Sequence, residues 1–179
     1  MAGILDNYGI QNFYNTAATN DFARQNLFRV ISLGGTTFNQ NQLIYVTTTT
    51  LPAKAITNVE VPFMGLRFNV PGTVNYPNSA GWQVTFRMDS AFNIRSILEA
   101  WQQSVFSDIT STGAYNIPSL DQANQIVLAL IDKQGNVLKT YTLYGAWPQQ
   151  IGELNLDITT AGEVLTQPVT LAYQYWRAV

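Results

Sequence analysis

The ending of the chain is the stretch with the fewest places to go. Val169-Thr170-Leu171-Ala172-Tyr173-Gln174-Tyr175-Trp176 is bulky and strand-favouring. On a regular strand Val169, Leu171, Tyr173 and Tyr175 share one face, and Trp176 stands on the other. A strand apolar on both faces needs cover on both. A small domain rarely supplies that near its terminus, so the pattern predicts a partner. Just upstream, Gly145-Ala146-Trp147-Pro148 leads into Ile151-Gly152-Glu153-Leu154-Asn155-Leu156-Asp157. There Leu154 and Leu156 oppose Glu153, Asn155 and Asp157. The two runs read as strands flanking a turn at Thr160-Ala161-Gly162.

The rest of the chain is read from period-two alternation. Residues 1–20 are small and polar with scattered Tyr8, Phe13 and Tyr14, and read as an arm whose aromatics anchor on a neighbour. Strands are predicted over 27–33 and 43–49, with a long turn through Gly34-Gly35 and Asn39 to Asn41. Leu51-Pro52-Ala53 stops the second ladder, because proline has no N–H. Residues 56–61 and 66–70 form an antiparallel pair around 62–65. Val59, Val61, Leu66, Phe68 and Val70 fall on one side, which is expected to pack on the core and helix, and Asn58, Glu60, Arg67 and Asn69 on the other. Residues 71–81 read as a loop. In 82–88, Trp82, Val84, Phe86 and Met88 point inward, and Gln83, Thr85 and Arg87 outward. One helix is predicted over 91–106, with Ile94, Ile97, Leu98, Trp101 and Val105 on one face and Asp89 or Ser90 as N-cap. Residues 110–118 read as a loop, and 126–132 and 137–144 as a hairpin across Lys133 to Asn136. One mainly β domain over 21–179 follows: two packed antiparallel sheets, a β-sandwich or half-barrel, with one flanking helix.

Composition removes most chemistry. The chain of 179 residues has no cysteine and no histidine, so thiolate chemistry and the commonest general base are absent. Glu153 and Asp157 are the best carboxylate pair. Four residues apart on a strand, they lie about 13 Å apart, beyond the roughly 5–9.5 Å of glycosidase pairs. They read instead as polar residues at a subunit contact. No phosphate loop, nucleophile motif or calcium-loop spacing occurs, and no catalytic, cofactor or metal residues are assigned. Arg95 and Glu99 read as an i, i+4 pair on the helix surface. Charged residues make up only 11 %, against about 25 % in ordinary soluble proteins. So sparse a charge fits a surface covered by copies of itself. With net charge −2 and no basic run, phosphate binding by counterion release is not expected. No signal-peptide pattern or membrane-length apolar run is present.

Four pieces in register carry a family resemblance: Asp21-Phe22-Ala23-Arg24-x-Asn26-Leu27-Phe28-x-Val30, Thr49-x-Leu51-Pro52-Ala53, the run from Gly145-x-Trp147-Pro148 to Gly152-Glu153-Leu154-x-Leu156-Asp157, and Val169-x-Leu171-x-Tyr173-x-Tyr175-Trp176. From about residue 20 to residue 176 the chain resembles the tail tube proteins of contractile-tailed bacteriophages, in a superfamily shared with type VI secretion tubes. It departs from them in a longer arm, a longer turn over 34–42 and three residues after Trp176.

The resemblance implies a non-enzymatic virion subunit, assembled in the host cytoplasm into stacked hexameric rings without a cofactor. It also implies contacts with sheath, tape-measure, baseplate and tail terminator proteins, and passage of genomic DNA through the bore without membrane insertion. On that reading the polar face of Asn58, Glu60, Arg67, Asn69, Gln83, Thr85 and Arg87 lines the lumen. Phe38, Leu51 and Pro52 anchor contacts between rings. Glu153, Asp157, Tyr173, Tyr175 and Trp176 lie between subunits. The alternatives are the inner tube of a type VI secretion or phage-like injection system, and a lectin-like sandwich using the rings of Trp147, Tyr173, Tyr175 and Trp176.

Overall fold

A computed structural model describes residues 9–20, 22–34, 38–113, 116–159 and 162–179. Tyr8, Asp21, Gly35 and the turn residues Thr160 and Ala161 lie outside the described residues. Two four-stranded antiparallel sheets face each other. The first has the order β1 (Phe28–Leu33), β8 (Ile126–Ile131), β9 (Val137–Tyr144), β12 (Tyr175–Ala178). The second has the order β10 (Trp147–Ile151), β11 (Thr166–Ala172), β5 (Trp82–Arg87), β2 (Val46–Thr49). Their inner faces interdigitate around Val30, Leu33, Trp82, Val84, Phe86, Leu128, Leu143 and Leu171. Trp82, Val84 and Phe86 are buried as their alternation predicts, and Gln83 and Arg87 are exposed.

Helix α3 (Asn93–Val105) closes one flank and buries Ile94, Leu98 and Trp101. Its start is capped from a distance. Asp89 Oδ2 accepts from the Asn93 amide at 3.0 Å and Oδ1 from the Ile94 amide at 3.2 Å. Burial works to raise the Asp89 pKa, and these amide bonds outweigh it and lower it. Arg95 is not merely a surface partner of Glu99. It meets Glu99 at 2.7 Å and also donates to Gln167 Oε1 at 2.8 Å, tying α3 to β11. Gly34, at φ +61°, lies under the indole of Trp101, where a Cβ would sit 2.9 Å from the ring.

Three expectations change. Residues 43–45 do not begin a strand: α2 (Gln40–Leu43) forms there because the Asn39 side chain and Gln42 make a capping box. Residues 152–157 are not a strand either. The strand lies earlier, over β10, where Ile151 pairs with Val169. The ending needs no partner to cover both faces, because the chain changes sheets. β11 ends at Ala172 in one sheet, and β12 starts at Tyr175 in the other. Val169, Leu171 and Tyr173, on one side up to the corner, all reach the chain's own core, and past the corner Trp176 packs against it from the other sheet.

Two elements stand outside this body. The arm is not featureless: α1 (Ile10–Thr19) is a helix with no buried residue. Strands β3 (Ala55–Phe63) and β4 (Leu66–Asn75) pair only with each other. The two-residue strands β6 (Phe106–Ser107) and β7 (Thr112–Gly113) pair in a small ribbon, and a 3-10 turn spans Gln122–Asn124. No described helix is long and apolar enough to cross a membrane.

Candidate assembly surface

The β3–β4 hairpin is longer than its sequence pattern predicts, because β4 continues through Pro71 to Asn75. Its tip is a two-residue turn, Met64-Gly65, with φ of +47° and +80°. Two positive φ values give the twist that suits a tight hairpin. Every residue of the ribbon beyond Ala55 is exposed. Val59, Val61, Phe63, Leu66, Phe68 and Val70 share one face through the pairs Val59↔Val70, Val61↔Phe68 and Phe63↔Leu66. They are 44–62 % exposed. The expectation that this face packs on the core and helix is therefore overturned within one chain. Alternation defines a face, but it does not say what covers that face.

The opposite face is polar and internally satisfied. Arg67 Nε lies 3.0 Å from Glu60 Oε1, and Asn58 Nδ2 donates to Asn69 Oδ1 at 2.8 Å. Of the seven residues read as one polar face, the hairpin brings these four together. Gln83, Thr85 and Arg87 lie on β5, on the outward side of the sheet it shares with β2 and β11.

The C-terminal corner is the socket of the hairpin. On the incoming side, Trp176 Nε1 donates to Ala53 O at 3.0 Å, and Trp82 Nε1 to Thr50 O at 2.7 Å. On the outgoing side the Tyr173 amide donates to Ser79 O at 2.7 Å. Tyr173 is buried, and its hydroxyl finds no hydrogen-bond partner among the described residues. Burial raises its pKa, with a smaller push from Tyr76.

This geometry revises the remaining assignments. Phe38 is buried and stacked on Phe86 at 5.8 Å, and Pro52 is buried, so neither side chain is free to anchor another ring. Leu51 stays 47 % exposed. Tyr173 is spent on the core rather than on a neighbour. Tyr175 stacks on Tyr144 at 4.9 Å and Trp176 packs on Tyr141 at 5.5 Å, both half-buried. Three rings of that cluster are thus engaged within the chain, and the fourth, Trp147 on β10, is half-buried. Glu153 and Asp157 sit on the exposed irregular segment after β10, where Asp157 Oδ1 accepts from the Thr159 amide at 2.8 Å. Sequence reasoning named the apolar face of the hairpin but missed its exposure, and it missed that residues 10–19 form a helix. The signal for α1 was present in the helical spacing of Ile10, Phe13, Tyr14 and Ala17.

Comparison with known proteins places these features. A family model described as phage tail tube protein matches residues 10–179. Tail tube protein gp19 of Enterobacteria phage T4 is 34 % identical over 157 residues, which cover 87 % of this chain and 91 % of that protein. Among solved structures, the tube terminating cap of the anti-feeding prophage superposes with a TM-score of 0.61 at 16 % identity, over 89 % of this chain and 92 % of that one. A chain of the sheath–tube complex of an extracellular contractile injection system gives a TM-score of 0.53 at 15 % identity, over 92 % and 96 %. These two likenesses concern the fold.

Proposed function

The chain belongs to the phage tail tube protein family and is a structural component of the phage tail, and from that premise we propose that six copies close into a ring and rings stack into the hollow tube. The observation that carries this reading is the uncovered hairpin. A two-stranded ribbon is marginal in water by itself, and a contiguous exposed apolar face of this size marks an interaction site. Copies of the same chain are the partner that a tube requires. The exposed edges of both sheets add to that need, since ring closure is a way to pair them.

In this assembly the chain is not an enzyme. Residues 21–179 act as one tube-forming body, and residues 1–20 as its arm. Sheath protein surrounds the tube, tape-measure protein fills it before ejection, and baseplate and terminator proteins cap its ends. The face of Asn58, Glu60, Arg67 and Asn69, with Gln83, Thr85 and Arg87, is assigned to the bore. Its near-neutral amides, hydroxyl and paired charges avoid the multiple phosphate contacts that would hold DNA. Leu51, Glu153, Asp157, Tyr175 and Trp176 remain assigned to contacts between copies.

Negative-stain imaging of the purified protein tests the reading. Rods, or annuli with sixfold averages, are expected at high concentration. A variant with residues 56–74 replaced by a short Gly-Ser turn is expected to stay folded and to form neither. Rods from that variant, or persistent monomers of the intact chain, would refute the proposal.

A further inference from the structure

Among the described residues, the exposed apolar faces of α1 and of the hairpin match. On α1, Ile10, Phe13, Tyr14 and Ala17 fall at i, i+3, i+4 and i+7, one helical face. Ile10, Phe13 and Tyr14 are 65–89 % exposed, although Phe13 touches Phe22 at a ring distance of 5.9 Å. A ten-residue helix is marginal in water without tertiary cover. From Gly9 to Asn20 the sequence holds no charged residue, so covering this helix desolvates no charge.

The apolar face of the hairpin needs the same kind of cover. Pro62 and Pro71 each remove an N–H from the ribbon, which discourages a third strand from adding edge-on. Cover must then come onto the face. A helix of ten residues is about 15 Å long at 1.5 Å per residue. From Val59 to Phe63 the strand runs about 13 Å at 3.3 Å per residue. The face exposes apolar surface on the order of 500 Å², near the upper end of what monomers carry in one patch. A stable contact needs about 800 Å² per partner, which the face and its flanks approach. Within one chain neither element covers the other, since both remain exposed.

We propose that α1 of one copy lies across the hairpin face of a second copy, seating Phe13 and Tyr14 between Val61, Phe68 and Leu66. Each copy then gives one helix and receives one. A heterologous contact of this kind propagates from copy to copy, as rings and filaments require. The proposal rests on the assembly reading above and names the element that covers the hairpin.

The absence of cysteine makes it directly testable. Phe13→Cys and Phe68→Cys chains are mixed, concentrated and oxidised, then run without reductant while the same sample is imaged. A dimer band in the mixture, absent from either variant alone, is the expected result. Ile10→Asp with Tyr14→Asp gives an independent arm: unchanged thermal unfolding of the body, with the concentration needed for rods raised about tenfold or more. Rods without the mixed dimer, a disulfide closing within one doubly substituted chain, or rods unaffected by the two aspartates would overturn the helix assignment and leave the tube reading standing. If the unsubstituted chain forms neither rods nor rings, both fall.

Discussion

The molecule contains two hairpins that read alike in sequence and meet opposite fates. β8–β9 is the middle of a sheet, with β1 paired to one strand and β12 to the other. Its residues Ile126, Leu128, Ala129 and Leu143 are buried. β3–β4 has the cleaner alternation of the two and no third strand. Its apolar side chains look outward into solvent. Alternation specifies that a face will be covered, not by what. The β8–β9 hairpin finds its cover in the same chain because two other strands and a facing sheet arrive from elsewhere in the sequence. The β3–β4 hairpin is held at its base, by the indoles of Trp82 and Trp176 on the carbonyls of Thr50 and Ala53 and by the Tyr173 amide on the carbonyl of Ser79.

The largest expected difference between them is in folding free energy. Leu128→Ala opens a cavity between the two sheets and should cost about 2–5 kcal/mol. Phe68→Ala on the hairpin should cost the dilute chain under about 1 kcal/mol, as surface changes do, while raising the concentration at which rods form. Urea denaturation at low concentration measures the first effect, and pelleting at high concentration the second. Equal destabilisation by the two changes would break the contrast, because the hairpin would then have to pack on its own chain.

The polar bonds of the packed body and of the β3–β4 hairpin differ in the same way, with a smaller effect. Gln167 is 0 % exposed, donates to Gly152 O at 2.6 Å and Pro168 O at 3.0 Å, and accepts from Arg95. Gln167→Leu leaves buried groups unpaired and should cost about 1–3 kcal/mol. Asn58 and Asn69 share a bond of similar length, 2.8 Å, but water competes for it. Asn58→Ala should change stability by no more than about 0.5 kcal/mol. Thermal unfolding of both variants decides it; a larger loss from Asn58 would mean that the hairpin face is sheltered in the dilute chain.

What the sequence made legible follows the same line. The inward set Trp82, Val84 and Phe86, the buried stripe Ile94, Leu98 and Trp101, and the turn at 133–136 were readable because each depends on neighbours a few residues away. The sheet change after Ala172 was not. Val169, Leu171, Tyr173 and Tyr175 keep perfect alternation in sequence while the backbone turns a corner between them. Residues 43–45 were misread for a local reason that competes with strand propensity, the capping box of Asn39 and Gln42. Residues 152–157 alternate correctly and still form no strand, since Val169 pairs with Ile151 and leaves them without a ladder. Of the proposed site, the polar quartet of the hairpin was legible and its exposure was not. Exposure depends on whether the body has a vacant face, a property of the whole fold.

The smallest effect distinguishes the two turns. The β8–β9 turn is built on a carboxylate: Asp132 Oδ1 accepts from the amides of Gln134 and Asn136 at 2.8 Å, and Oδ2 from Asn136 Nδ2 at 2.9 Å. The Asn136 side chain and then the backbone amides favour the charged form, so the Asp132 pKa lies below its ordinary value. A carboxyl depressed in the folded state adds stability at every pH above its ordinary unfolded value. That contribution is lost as pH falls through the lower folded value, so the window lies below about pH 4. The β3–β4 turn rests on the backbone angles of Met64 and Gly65 and takes up no proton. In a Glu60→Gln chain, which lacks the one acid of the hairpin, amide resonances of Gln134 and Asn136 should titrate below about pH 4, and that of Gly65 should stay flat. Asp132→Asn should abolish the titration at Asn136. An Asn136 amide that stays flat in acid, or a Gly65 amide that moves with it, would show that the two turns are not held by different means.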